Sequence, residues 1–319
     1  MPILTVIITL VIRNGKIMAN KVINFHDVYD QAWFEKTLLI LNKKYNLISI
    51  EKLEEFFYDN HKLHNSCLIT IDDGDRTFYD VMFPILIKHK IPAILFVSPK
   101  ITSNNENFWF QEIRQFDEIK LNRLISNSYK TDLSQYPNWA ILKTLTIEDI
   151  WRIIGEYKMQ NKNVAEKHFN INIEQLKEVH ASKIVKIGAH TQNHPILQNE
   201  SDEISKKEIT DSIRNLEIIL NDKVHYFAYP NGIPSLDFNQ REVSFLKENG
   251  IKLAFSTESR DFSIVSRPFE IPRYGISLGS EVFIKAKLLL GRHWDTIKKL
   301  KTKSETRIRK EIRTKLSLE

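Results

Sequence analysis

Short β-branched and apolar runs alternate with segments of helical period along most of the chain. Lys21–Phe25, Ser66–Ile71, Ala93–Val97, Ile184–Ile187, Val224–Ala228 and Lys252–Phe255 read as strands. Between them, Ala32–Tyr45 and Thr77–Lys90 carry the spacing of amphipathic helices. Ile209, Ile213, Leu216 and Leu220 recur at i, i+4, i+7 and i+11, which places them on one helix face. Repeated strand–helix units predict a mostly parallel sheet, open or closed as a barrel. Connections of this kind are right-handed, and loops at the strand C-terminal ends gather any active site.

From Ser98 to Lys183 the pattern loosens and becomes rich in Asn, Gln and aromatic residues, among them Phe108, Trp109, Phe110, Tyr136, Trp139 and Trp151. The stretch is too long for a plain loop and predicts a mainly helical insertion. Residues 281–319 predict one or two helices outside the core. The expected division is a domain over 1–280, interrupted at about 98–183, and a basic helical tail over 281–319. At the other end Pro2–Ile12 is apolar apart from Thr5 and Thr9. It is well short of the ~20 residues that span a bilayer as a helix. It has neither a basic n-region nor a cleavage signature. Its Val, Ile and Thr content favours a buried strand over an export or membrane segment.

With 319 residues, 42% hydrophobic and 27% charged, the composition is that of a globular chain and excludes a disordered or collagenous one. The net charge of +6 is concentrated in residues 281–319, which hold 12 Lys or Arg against 5 Asp or Glu. Such a tail suits an acidic membrane surface, and no nucleic acid partner is expected. Ile308, Ile312 and Leu316, with Arg and Lys between them, fit surface attachment or packing onto the domain. Cys67 is the only cysteine, so no intrachain disulfide forms, which fits a reducing compartment. The expected location is cytoplasmic, with membrane association through the tail; an exported form stays open.

Three short segments carry candidate chemistry. Thr70-Ile71-Asp72-Asp73-Gly74 follows an apolar strand. Adjacent carboxylates raise each other's proton affinity, a cost that a bound cation relieves. Gly188-Ala189-His190-Thr191-Gln192-Asn193-His194-Pro195 places two His at i and i+4, a spacing that converges on one metal when the residues between form a helical turn. In Phe227-Ala228-Tyr229-Pro230-Asn231-Gly232, Pro and Gly set a turn that can aim a backbone N–H.

In this order and at these separations the segments resemble the polysaccharide deacetylase (NodB-homology) family, carbohydrate esterase family 4. The resemblance covers roughly residues 20–277, with the insertion outside the motifs. It implies a distorted (β/α)7-type barrel that hydrolyses N-acetyl, sometimes O-acetyl, groups on sugars. It also implies roles: Asp72 as general base, and Asp73, His190 and His194 as ligands to a divalent metal, zinc by default. Such a metal lowers the pKa of water and polarises the acetyl carbonyl. The backbone N–H of Asn231 would meet the oxyanion, with Tyr229 beside it as a substrate-binding candidate. Trp109, with Phe108, would offer a platform to a sugar face. The expected substrate is an acetylated carbohydrate, either a cell-surface polysaccharide or a lipid-linked glycan precursor.

Three positions depart from the family pattern. Ala228 stands where the family often has an Arg that orients the base, and Arg273 in Ile271-Pro272-Arg273-Tyr274 is the expected replacement. No Leu-x-His acid motif is present near the end, and His26 in Asn24-Phe25-His26-Asp27 is the candidate proton donor. Asn231 replaces the usual Tyr, a change that a backbone contact tolerates. Two other readings remain. One is a degenerate member that binds glycans without turnover. The other is a DxD glycosyltransferase using Asp73-Gly74-Asp75, which leaves the His pair unexplained.

Overall fold

A computed structural model of the chain describes residues 19–161, 168–291 and 304–318. The strand expected within residues 2–12 lies outside them, as do residues 162–167 of the insertion and 292–303 of the tail. Eight strands form one sheet: β1 (Lys21–Phe25), β2 (Asn46–Ile48), β3 (Ser66–Ile71), β4 (Ala93–Val97), β5 (Val185–Ala189), β6 (Tyr226–Ala228), β7 (Leu253–Phe255) and β8 (Tyr274–Gly275). Their order is β7-β6-β5-β4-β3-β1-β8, with β2 paired to the first half of β3, and every pairing is parallel. The two ends of the sheet approach through one parallel bridge, Phe255 to Ile271. The result is an α/β fold of the distorted (β/α)7 type: the strand–helix alternation predicts the parallel sheet, and the family resemblance implies the barrel.

Side-chain alternation along the strands separates two cores. Val22, Leu68, Ile94, Phe96, Ala228 and Phe255 belong to the inner cluster. Ile23, Phe25, Cys67, Ile69, Leu95 and Val97 alternate with them and pack outward against Leu38, Leu86, Ile209 and Leu216 of the surrounding helices. Gly188 in β5 faces inward, where a Cβ would lie 2.5 Å from the Phe96 ring and 2.9 Å from the Tyr226 carbonyl oxygen. Only glycine fits there. Asn24 and Thr70 continue the inward face at the C-terminal ends of β1 and β3, and both are buried. The inside of the barrel thus turns polar where a site is expected.

The insertion leaves after β4. Its helices Glu118–Ser128, Asn138–Leu142 and Ile147–Gln160 enclose a separate core that includes Leu121, Ile125, Ile141, Ile150 and Ile153. The helix Ile173–Ala181 instead packs Leu176 and Val179 into the outer core of the barrel, so the inserted part is shorter than 98–183. The tail also differs from expectation. Helix Glu281–Leu290 buries Ile284 and Leu288 against the barrel, and helix Glu305–Leu316 buries Ile312 in the insertion core, flanked by Ile308 and Leu316. An apolar stripe that finds protein to cover it does not stay outside the core. No described helix is long and apolar enough to cross a membrane.

Candidate active site

Asp72 follows β3 with its backbone N–H on the Phe25 carbonyl, and its carboxylate is buried. Arg273, fully buried, grips it as a fork: Nη1 donates to Oδ1 at 2.7 Å and Nη2 to Oδ2 at 2.9 Å. Asn24 Nδ2 donates to Oδ2 at 2.9 Å, and Asn24 Oδ1 in turn accepts from Thr70 Oγ1. Burial raises the proton affinity of Asp72, but the charge of Arg273, helped by His190 and His26, outweighs it and leaves the pKa below the ordinary value. The carboxylate is ionised and fixed in orientation. Arg273 Nε donates to the Ser256 carbonyl, and its guanidinium packs over both the Phe96 and Phe255 rings.

Asp73 turns the other way. Its φ of 73° is left-handed, and Gly74 follows at 72°. Adjacent residues on a strand face opposite sides, so this break brings both carboxylates to one cleft. Asp73 Oδ1 lies 3.5 Å from Nε2 of His190 and 3.5 Å from Nε2 of His194, and it accepts no hydrogen bond. The three side chains are buried and are the one group among the described residues with donors clustered for a metal. Tetrahedral zinc with N and O ligands at about 2.0–2.1 Å sets those ligands roughly 3.4 Å apart. A buried carboxylate oxygen without a partner, at that spacing from two imidazoles, fits a cation.

Of the two imidazoles, that of His190 is held from behind, whereas His194 Nδ1 is buried without a hydrogen-bond partner. His190 Nδ1 faces the Ala228 carbonyl at 2.7 Å, which directs Nε2 toward Asp73. Burial and the neighbouring His190 lower the pKa of His194, favouring the neutral form that offers a lone pair to a metal. The segment between the two His is not the helical turn its spacing suggests, since Thr191 and His194 both have left-handed φ. Glu208 of the helix Asp202–Leu220 accepts the backbone N–H groups of Gln192 and Asn193, which a helical turn would have given to carbonyls.

Asn231 has φ of 57°, and its N–H makes no hydrogen bond to the protein among the described residues. It lines the main cleft, of about 930 Å³, together with Asp72, Asp73, His190, His194 and Arg273. His26 also lines it, half exposed, with Nε2 3.8 Å from Asp72 Oδ2.

Two expected substrate contacts are corrected. Tyr229 is buried, stacked on Phe238, and its Oη donates to the Phe269 carbonyl. Trp109 is 2% exposed, and its Nε1 donates to the His194 carbonyl, so it supports the loop rather than offering a ring face. The most exposed aromatic on the cleft wall is Trp139, at 40%, with Lys143 Nζ 5.0 Å from its ring centre; Phe110, beside His194, is partly exposed. Sequence reading missed Trp139, Lys143, Asn24 and the tail's Glu305, all lining the cleft. The aromatic-rich composition of the insertion was the only pointer, and it does not say which ring stays open.

Comparison with known proteins agrees with this geometry. A family model described as polysaccharide deacetylase matches residues 59–254. Poly-beta-1,6-N-acetyl-D-glucosamine N-deacetylases of Staphylococcus aureus are 26% identical over 230 residues, or 70% of this chain. The chain spans 60% of the length of these curated relatives. A deacetylase of Streptococcus pyogenes, PplD, solved in complex with acetate, superposes with a TM-score of 0.55 at 17% identity over 82% of this chain and 93% of that one. IcaB from Ammonifex degensii gives 0.54 at 19% identity over 85% and 95%. These two likenesses are of fold.

Proposed function

The chain belongs to the polysaccharide deacetylase family, and from that premise we propose that it hydrolyses acetyl groups, N-acetyl first, from a cell-surface polysaccharide or a lipid-linked glycan precursor. The observation that carries this reading is a convergence. Asp73, His190 and His194 close around one point beside a second, ionised carboxylate held by Arg273. The S. aureus relatives support an N-acetylglucosamine polymer as the substrate class.

Asp73, His190 and His194 would hold a divalent metal, zinc by default from its N and O donors. When bound, such a metal lowers the pKa of water and polarises a carbonyl. The remaining roles fall to the chain itself. Asp72 takes the proton of the attacking water, and Arg273 keeps that carboxylate ionised and aimed. The Asn231 N–H meets the oxygen that gathers charge during attack. His26 reaches the cleft and donates the proton that lets the sugar amine leave. The glycosyltransferase reading has little support, because Asp75 Oδ1 is occupied by the N–H and Oγ1 of Thr77.

Zinc content and acetate release test the proposal. Asp72→Asn is expected to keep the metal and lose about 10²–10⁴ in turnover, the usual worth of a general base. His190→Ala is expected to lose both. Wild-type protein that holds zinc and binds an N-acetylglucosamine oligomer without releasing acetate would instead be a glycan-binding module. Peripheral membrane contact is proposed to run through the exposed Arg307, Lys310 and Lys315, since Ile312 is packed inside. Flotation with anionic vesicles should then weaken as salt rises, and salt-independent or absent binding would remove the idea.

A further inference from the structure

The loop that carries the Asn231 N–H is unusual in its backbone. Asn231, Gly232 and Ser235 all have positive φ within five residues. Such a loop holds its shape only where its surroundings over-determine it. Asp237 does this with one oxygen: Oδ2 accepts from Asn231 Nδ2 at 2.6 Å and from the Ile233 N–H at 2.8 Å. Both contacts fold the loop back on a side chain that is 1% exposed.

An isolated buried carboxylate is costly. Its partner comes from the tail: Arg309, also 1% exposed, donates from Nη1 to Asp237 Oδ1 at 2.5 Å. One helical turn earlier, Glu305 accepts from Asn231 Nδ2 at 3.1 Å and pairs with Lys143 of the insertion, whose Nζ donates to Asn231 Oδ1 at 2.6 Å. The amide of Asn231 is therefore fixed by its own loop through Asp237 and by two distant parts of the chain, the insertion through Lys143 and the tail through Glu305. Ile312 in the insertion core seats the helix that delivers Glu305 and Arg309.

We propose that Arg309 is a positioning residue for the reaction, acting through Asp237 to hold the Asn231 N–H toward the cleft, so that the tail helix is a working part of the active site. The inference rests on the reading in which that N–H serves deacetylation. It makes the tail a component of the site, where its charge pattern alone pointed to a membrane surface.

Two neutral double variants of the full chain separate clamping from mere packing. Asp237→Asn with Arg309→Met keeps an acceptor for Asn231 and Ile233 without a buried charge. Asp237→Ala with Arg309→Met removes that acceptor. Amide hydrogen exchange over residues 229–238 should stay near the wild-type rate in the first and rise at least about tenfold in the second, with the β-strands unchanged in both. For acetate release from a β-1,6-linked N-acetylglucosamine oligomer, kcat should differ between the two by at least about tenfold, with KM within about threefold, because the lost contact belongs to the transition state. Leu176→Ala, a cavity in the outer barrel core away from the clamp, should lower the melting temperature and leave loop exchange and kcat at wild-type values. Arg309→Met alone, which leaves the Asp237 carboxylate unpaired, should also raise loop exchange and lower kcat. Wild-type values in that variant, equal exchange in the two double variants, or unequal exchange with equal kcat overturns the proposal. If wild-type protein releases no acetate, the deacetylase reading fails, and the exchange data still decide whether the clamp exists.

Discussion

Asp72 and Asp73 are neighbours in the chain, and their environments divide the labour between them. Asp72 is tied to a guanidinium that is fully buried, whereas Asp73 offers an unpartnered oxygen to two imidazoles. Arg273 cannot be exchanged for lysine, because a point ammonium cannot make two parallel hydrogen bonds to one carboxylate. If the proposed reaction holds, Arg273→Lys is expected to lower kcat about a hundredfold or more while metal content is kept. Arg273→Met strands a buried anion and should also lower stability by about 3–5 kcal/mol, measured by denaturant unfolding. That Asp72, Asp73, His190 and His194 share one cleft was legible in the sequence, because short motifs tie residue type to strand position, and Arg273 was reached only as a replacement for the Arg that Ala228 displaces. The burial of Tyr229 was not legible. A tyrosine beside a Pro-Asn-Gly turn looks available until Phe238, nine residues on, stacks against it and buries it.

At the scale of elements, the alternation of strands and helices foretold the parallel sheet but missed the short strands Asn46–Ile48 and Tyr274–Gly275, and the boundaries of the others differ by a residue or two. Val185–Ala189 forms where Ile184–Ile187 was expected, for example. What alternation cannot give is the path of the insertion. The aromatic residues there share one composition but have opposite fates, since packing, not residue type, decides exposure: Phe108 and Trp109 are buried under His194, and Trp139 opens onto the cleft. Trp139→Ala should therefore raise KM for an N-acetylglucosamine oligomer by about five- to tenfold, roughly the worth of one aromatic contact, with kcat little changed. A proportionate fall in kcat with KM constant would show that the ring acts on chemistry instead. The apolar stripe of the tail had two readings on sequence grounds, and the structure shows the packing one, against a surface that only the folded insertion provides.

At the scale of the whole molecule, insertion and barrel are joined by polar ties as well as by apolar contact. Glu200 in the loop before the helix Asp202–Leu220 accepts the Ile147 N–H at 2.7 Å, at the start of the insertion helix Ile147–Gln160. Burial raises the pKa of Glu200 to about 7. The folded state thus binds this proton more tightly than the unfolded chain does. The stabilisation is complete below the unfolded value near 4.5 and is lost as pH rises through about 7. Glu200→Gln should remove that slope, making the variant more stable than the wild type at pH 8 by on the order of 1 kcal/mol, with little difference near pH 4. Parallel stability–pH curves for the two proteins would rule Glu200 out as the cause. The position of Arg309 has one more consequence, for the order in which a ribosome delivers the parts. Every strand of the barrel has been synthesised by Gly275, before the tail helix emerges, and domains begin to fold as they are made. A nascent chain stalled between those points would hold a folded barrel with its metal ligands assembled and the Asp237 carboxylate unclamped. The Asn231 loop would then take its final shape only once the tail helix has emerged, after the barrel itself.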